Sequence, residues 1–566
     1  MNRLSLAVLA CILVGTSFLY YKSLTPSFSS DDYIHLEKNI KFIRFQDVSQ
    51  VFLHLDGREY RPLVRLSLWL NYQMGTTALP FHITNLMLHL ACIVCLYFLF
   101  QRLLVSRIGS LVGVTLFALH PIHTTNVDFI MGRTGMLCAL FYFLSLYLFL
   151  VNTQKPSVWS YLISLGLFFI SLLAKEEAIS MPLLLFVLLL QTEKNTAKNL
   201  WRNFRRLSPF FMMVVVYLAL HVYSLSGQYE QIAGYTNYNV LHIISNYINW
   251  ILGFAYPFNL YKARWAFETG QFFQVAFPVA IIGLMAAALA YILWPGRRIL
   301  FYNKMFLLGL LWFILTLTPI MGGNAHRWYL YIPSAGLCLS VVAACQQNYQ
   351  GCRRSICMAL FILAAVCFSV EVRNQSDIWY RQSQISERFL NQAEQLGLHR
   401  MDAFQFINLP FGYKSAFLFP FNSFNKALGI RTGKWPRIEI LSRINLDDNT
   451  WINLDRGEKG VFIQMQPSAE SYFIFKDLLR KFPNEGTALT MDGCRIRIKR
   501  LSKGQSTSAF EVVFLRKPEI PVFYFDGIDI HELPRALIQA RMNKKELVRF
   551  LGSYRSISVS RIKNPF

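Results

Sequence analysis

Apolar runs separated by short polar breaks fill the chain as far as about residue 373, and then the pattern ends. The runs lie near residues 4–21, 82–104, 109–120, 133–151, 158–173, 178–191, 207–226, 272–294, 304–321, 328–346 and 356–372. Most hold roughly 16 to 23 residues, the length an α-helix needs to cross the hydrocarbon of a bilayer. The pattern predicts an α-helical polytopic membrane protein with about eleven spans. Beyond residue 380 the period changes. Gly460 to Gln466, Cys494 to Leu501 and Phe510 to Leu515 alternate as strands do, while Ala469 to Phe482 and His531 to Leu551 carry helical spacing. The expected organisation is a membrane domain over 1–375, with a first outer loop over 22–81, and a soluble α+β domain over 376–566. No internal repeat is visible.

Orientation follows from Lys and Arg in the short loops. With residues 1–3 inside, the inner loops hold Arg102 and Arg107, Lys155, then Lys194, Lys198, Arg202, Arg205 and Arg206, then Arg297, Arg298 and Lys304, and last Arg353 and Arg354. The outer loop over 227–240 has neither residue type. Met1-Asn2-Arg3 followed by the run to Tyr21 reads as a retained signal anchor, since no small-x-small cleavage site follows. Residues 240–256 carry a polar stripe of His242, Ser245, Asn246 and Asn249, the pattern of an interfacial helix lying on the outer surface. An odd number of spans then places the C-terminal domain outside.

Composition agrees with the class: 54% of residues are hydrophobic and 15% aromatic. A formal charge of +24 would suggest nucleic acid in a soluble protein. Here much of it sits in short loops and in a tail with 29 Lys and Arg against 18 Asp and Glu, so membrane lipid is the expected partner and nucleic acid is not. The basic strand over 494–500 puts Arg495, Arg497 and Lys499 on one face, which is either solvated or leans on anionic groups. Most of the ten cysteines lie in or beside apolar runs, and no disulfide framework is implied.

The proposed topology gathers the remaining ionisable groups on the outer side. Such groups beside hydrocarbon are costly and mark function by default. Asp31 and Asp32 follow the first run; a carboxylate at the membrane rim can take a proton from a hydroxyl, although Ser-Asp-Asp is also ordinary loop composition. Arg61, near Arg65, offers a guanidinium for phosphate or merely snorkels. Lys175-Glu176-Glu177 sits between two apolar runs, as a site or as mutual neutralisation at a helix junction. His120 and His123 flank a proline in the segment that also holds Arg133. A third metal ligand at a telling spacing is lacking, so hydrogen bonding suits them better. Asp128 could orient either histidine or be solvated. His326, Arg327 and Tyr329 stand at the outer end of a run, where an aromatic belt is also expected.

The blocks RPLVRLSLWLNY, FHITNLMLHL, ALHPIHTTNVDFIMGRTGML, LLAKEEAISMPLLL and HRWYLYIPSAGLCL, in this order, resemble the membrane half of the TMTC-type O-mannosyltransferases and their bacterial relatives in the GT-C superfamily. The resemblance covers roughly residues 1–375. It implies about eleven spans, an acidic motif in the first outer loop, and sugar transfer from a polyprenyl-phosphate donor on the non-cytoplasmic face. The repeats that follow in eukaryotic members have no counterpart in 380–566, so the acceptor, whether protein, glycan or lipid, does not carry over. On this reading Asp31, equivalent to the first acid of the family's loop motif, or Asp32 is the general base of an inverting displacement. Arg61, Arg133, Lys175 and Arg327 would hold the donor phosphate. His120, His123, Glu176, His326 and Tyr329 would position the sugar or the acceptor. No cofactor or metal is expected, and nothing supports a divalent cation. A bacterial inner membrane is the expected location. A flippase for lipid-linked sugar and an inactive scaffold of the same fold are the alternatives. Transporters place charges near the midplane in repeated halves, which this chain lacks.

Overall fold

The computed structural model describes residues 3–25, 27–28, 32–36, 52, 60–104, 106–192, 196–224, 237–255, 280, 283, 303–347, 352–413, 416–419, 422–446, 452–456, 461–465, 472–474, 488–491, 494–501, 507–514, 521–525 and 529–533. They fall into two compact units: Met1–Pro26 with Asn39–Phe258 and Phe277–Asp377, and Ser27–Lys38 with Asn259–Ala276 and Ile378–Phe566.

The first unit is helical. Helices occupy Arg3–Leu19, Pro62–Met74, Leu79–Leu104, Arg107–Leu119, Arg133–Gln154, Val158–Leu172, Met181–Thr192, Ala197–Ser224, Val240–Ala255, Lys304–Leu317 and Tyr331–Gln347, and a further helix runs over Cys352–Gln395. Each apolar run foreseen from the sequence therefore carries a helix, except 272–294, which lies outside the described residues apart from 280 and 283. Among the described residues, five helices are long and apolar enough to cross a membrane, or six if the bent pair Arg107–Leu119 and Pro121–Asp128 is one span. The chain is an integral membrane protein. Several of the other runs form shorter helices: Met181–Thr192, at 12 residues, rises only about 18 Å.

Local chemistry sets the breaks. Ser106 caps the Arg107–Leu119 helix by accepting from Gly109 N–H, and His120, preceding Pro121, is extended and stops it. Asn303 caps Lys304–Leu317 by accepting from Met305 and Phe306 N–H. That helix lies against Tyr331–Gln347 at van der Waals backbone distance: a Cβ on Gly309 would come within 2.3 Å of the Gly336 carbonyl oxygen. Outward-facing Met212, Val215, Val222, Ile362, Val366 and Val370 leave apolar surface of the kind lipid covers.

A helix does run over the striped segment, Val240–Ala255. Its polar stripe is turned partly inward: Asn246 Nδ2 donates to the carbonyls of Met321 and Gly323 at 3.0 and 2.7 Å, and His242 Nε2 lies 3.1 Å from the latter. The glycine turn at 322–323 offers carbonyls that need donors once buried, and this stripe supplies them. Val240, Leu241, Ile244, Ile248 and Ile251 are left exposed on the other side.

The second unit is built on sheets. Ala403–Ile407 lies between Val522–Phe525 and Arg437–Ile440, parallel to both. A second sheet pairs Leu409–Tyr413 with Arg443–Leu446 in parallel, and a five-stranded antiparallel sheet holds Val461–Met465, Cys494–Leu501 and Thr507–Phe514. The alternating segments are thus strands. The helix expected over 469–482 is not found where the structure describes it: Tyr472–Ile474 is a strand antiparallel to Arg443–Leu446. Tyr, Phe and Ile in succession favour a pleated surface, and pairing overrides the helical spacing. Phe389, Phe404, Phe406, Phe419, Phe424 and Phe525 fill the core. The helix expected over 531–551 lies outside the described residues except for 531–533, of which 531–532 belong to the strand Ile530–Glu532.

Candidate active site

The polar end of the first unit is assembled from turns between helices. Leu63 N–H donates to the Leu173 carbonyl at 3.2 Å, tying the start of Pro62–Met74 to the end of Val158–Leu172. Arg61 is thereby brought to the Lys175-Glu176-Glu177 turn. Its Nη2 donates to both Glu176 carboxylate oxygens at 3.0 Å. Lys175 Nζ pairs with Glu177 Oε1 at 2.5 Å and stands 4.6 Å from the centre of the Tyr329 ring. Side-chain exposure separates the two pairs: 19% and 25% for Arg61 and Glu176, against 4% and 0% for Lys175 and Glu177.

These surroundings shift the carboxyls in opposite directions. Burial would raise Glu176, but the positive charges of Arg61 and Lys175 outweigh it and hold the carboxyl at about 2. For Glu177 burial wins over the attraction of Lys175 and pushes it up to about 7. His326 is held down at about 4 by burial, with the charge of Lys175 adding to the effect. Its ring stacks on Trp328 with centroids 4.0 Å apart. The Trp328 carbonyl accepts from Asn126 Nδ2 at 3.2 Å, which joins this turn to the segment after His120. Trp250 Nε1 reaches the His326 carbonyl at 3.4 Å. Arg327, partly buried, begins the same turn within the field of Glu371.

The structure therefore brings together Arg61, Lys175, Glu176, His326 and Tyr329, while other candidates are committed elsewhere. Arg133 is wholly buried: Nη1 donates to Asn71 Oδ1 at 2.6 Å, Nη2 to the Phe81 carbonyl at 2.9 Å and Nε to Asn85 Oδ1 at 3.1 Å. Asn85 in turn donates to the Phe129 carbonyl at 2.9 Å, so arginine and asparagine together pin the loop ahead of Arg133–Gln154. His120 Nε2 meets the Phe254 carbonyl at 2.8 Å while Nδ1 accepts from Ile122 N–H at 3.2 Å, which assigns the tautomer protonated on Nε2. His123 is fully buried against Tyr331, with ring centroids 4.6 Å apart, and its Nε2 lies 3.4 Å from Ser334 Oγ. Asp128 orients neither histidine and is not solvated; it accepts from Ser23 Oγ and, at 2.9 Å, from Ser376 Oγ. Among the described residues, no three His, Cys, Asp or Glu side chains group as metal ligands.

Asp31 lies outside the described residues, and Asp32, at 2% exposure, belongs to the second unit on a helical turn over 32–36. Sequence reading missed Asn71 and Asn85, whereas the mutual neutralisation it allowed for is seen between Lys175 and Glu177. An amide inside an apolar run, as Asn85 is, was the available signal.

At its other end the Arg133–Gln154 helix meets arginines of two neighbouring helices. Arg102 donates to Gln154 and Arg206 lies over Phe149, 4.8 Å from the ring centre. The two ends of one helix thus carry different chemistry, arginines of neighbouring helices at one and the paired cluster at the other.

No protein-family model matches the chain. The resemblance is nonetheless supported, over part of the chain, by curated relatives that are themselves named protein O-mannosyl-transferases. Protein O-mannosyl-transferase Tmtc1 of Drosophila melanogaster is 37% identical over 129 residues, which make up 22% of this chain and 15% of that protein. Protein O-mannosyl-transferase TMTC4 of Mus musculus is 30% identical over 156 residues, 23% of this chain and 21% of that one. The matched region therefore spans about a fifth or less of either relative. The structure of ArnT from Cupriavidus metallidurans bound to undecaprenyl phosphate aligns over 78% of this chain and 92% of that one at 9% identity. Its TM-score of 0.42 does not establish a shared fold.

Proposed function

We propose that the chain is a glycosyltransferase that moves a sugar from a polyprenyl-phosphate donor to an acceptor on the non-cytoplasmic face of a bacterial inner membrane. The observation that carries the reading is the gathering of Arg61, Lys175, Glu176, His326 and Tyr329 at one end of a helical bundle whose sequence resembles O-mannosyltransferases. In the reaction the acceptor oxygen attacks the anomeric carbon from the side opposite the lipid phosphate. The new C–O bond forms as the bond to the phosphate oxygen breaks, with inversion. The hydroxyl proton passes to Asp31 or Asp32, and the lipid phosphate leaves as a stable anion, which needs cations and no strong acid. Arg61, Lys175 and Arg327 supply that positive charge. Arg133, which donates to Asn71, Asn85 and the Phe81 carbonyl, holds the scaffold in place.

The test uses the purified full chain in lipid nanodiscs with a panel of radiolabelled polyprenyl-phosphate monosaccharides and peptide, glycan and lipid acceptors. Loss of the base is expected to lower transfer at least ~100-fold in Asp31→Asn or Asp32→Asn, and Lys175→Met is expected to lower it as well. Full transfer in both aspartate variants removes the base assignment. Movement of the intact donor across a vesicle membrane without transfer would instead establish the flippase.

A further inference from the structure

Among the described residues, two carboxylates pair with cations of the cluster, and they hold them differently. Lys175 and Glu177 are sealed from solvent, whereas Arg61 and Glu176 keep 19% and 25% of their side chains exposed. The Arg61 contact is also of the weaker kind. A single nitrogen, Nη2, is shared between both oxygens, where a guanidinium can give two nitrogens side by side to an oxyanion. A phosphate reaching this end of the bundle meets one pair that is costly to open and one that can exchange.

We propose that Glu176 is a stand-in for the lipid phosphate: it occupies Arg61 while the site is empty and yields it when a polyprenyl phosphate arrives. Lys175 stays on Glu177 and acts through its field. This inference rests on the glycosyltransferase reading and states which cation takes the phosphate and what that cation releases. It has a consequence for turnover. The donor is a phosphodiester with one negative charge, but the product lipid phosphate is a monoester carrying about −1.5 to −2, so it would hold Arg61 more tightly than the substrate did. A carboxylate that returns to Arg61 competes with the product and clears the site.

The experiment measures the Kd of farnesyl phosphate, a short polyprenyl phosphate without sugar, for the full chain in zwitterionic nanodiscs. Glu176→Gln is expected to tighten binding about fivefold, the factor lost when a competing ion pair worth about 1 kcal/mol is removed. Glu176→Asp, a milder change should the amide variant fold poorly, is expected to shift in the same direction. In an Arg61→Gln background the effect of Glu176→Gln should vanish. Unchanged or weakened binding in the Glu176 variants, with the wild type binding normally, overturns the stand-in role alone. Equal tightening towards phosphatidic acid overturns the assignment to the prenyl donor. Failure of the wild type and every variant to bind farnesyl phosphate overturns the glycosyltransferase reading together with this inference.

Discussion

Arg133 is a wholly buried cation whose guanidinium donates to two amides and a carbonyl. Lysine would present its donors from one point and could not reach Asn71, Phe81 and Asn85 together. Arg133→Lys should leave buried acceptors unmet at about 1–3 kcal/mol each, lowering the thermal midpoint in detergent by several degrees. An unchanged midpoint would show that the asparagines suffice. The two glutamates give a second residue-scale prediction. Glu177 rises from the ordinary 4.5 to about 7, so its contribution to stability is present below 4.5 and is lost as pH climbs to about 7. Glu176, held at about 2, works the other way: it contributes above 4.5 and fails as pH falls towards 2. Between the ordinary 4.5 and about 7, Glu177→Gln should flatten the decline of the midpoint with rising pH, as read by difference from the wild type. The difference matters because His326, held at about 4, contributes with opposite sign. That these positions carry charge beside hydrocarbon was plain from the sequence. Which cation meets which carboxylate was not, because the Leu63 to Leu173 contact that decides it joins segments more than a hundred residues apart.

At the scale of elements, apolar runs were legible because an α-helix near hydrocarbon must satisfy its own backbone, leaving length and polarity as the only variables. Their ends and faces were harder to read. The stripe on Val240–Ala255 is the same stripe whichever way it turns, and the carbonyls that turn it inward come from a remote glycine turn. The strand at Tyr472–Ile474 shows the same limit, its partner lying at Arg443–Leu446. Small residues fix the helix pair that carries the His326 turn. Gly309→Val would drive a side chain into the Gly336 carbonyl and Ser340, both within 2.3 Å of a Cβ there. The expected result is loss of monodisperse protein on size exclusion, while Gly166→Val, where nothing lies within 4 Å, should be tolerated.

For the whole molecule, the period of the pattern changes near residue 373, and two units divide at Asp377 and Ile378. Less visible was the assignment of Ser27–Lys38 to the second unit, since neighbours in sequence need not share a core. Tyr33 makes the point: it belongs to the same buried core as Phe389, Phe406 and Phe424, far along the chain. The orientation proposed from loop charges can be tested directly. In a background without native cysteines, Asn324→Cys should react with a membrane-impermeant maleimide from outside intact cells and Thr196→Cys only after lysis; both positions are exposed. The reverse result would put the paired cluster on the cytoplasmic side, out of reach of an externally presented lipid-linked sugar.

The order in which the Arg133 acceptors appear bears on how the chain is made. Ser67, Asn71, Phe81, Asn85 and Ile130 all precede the arginine. During synthesis from the N-terminus each of them leaves the ribosome first, so the costly guanidinium is delivered to helices that already carry these acceptors.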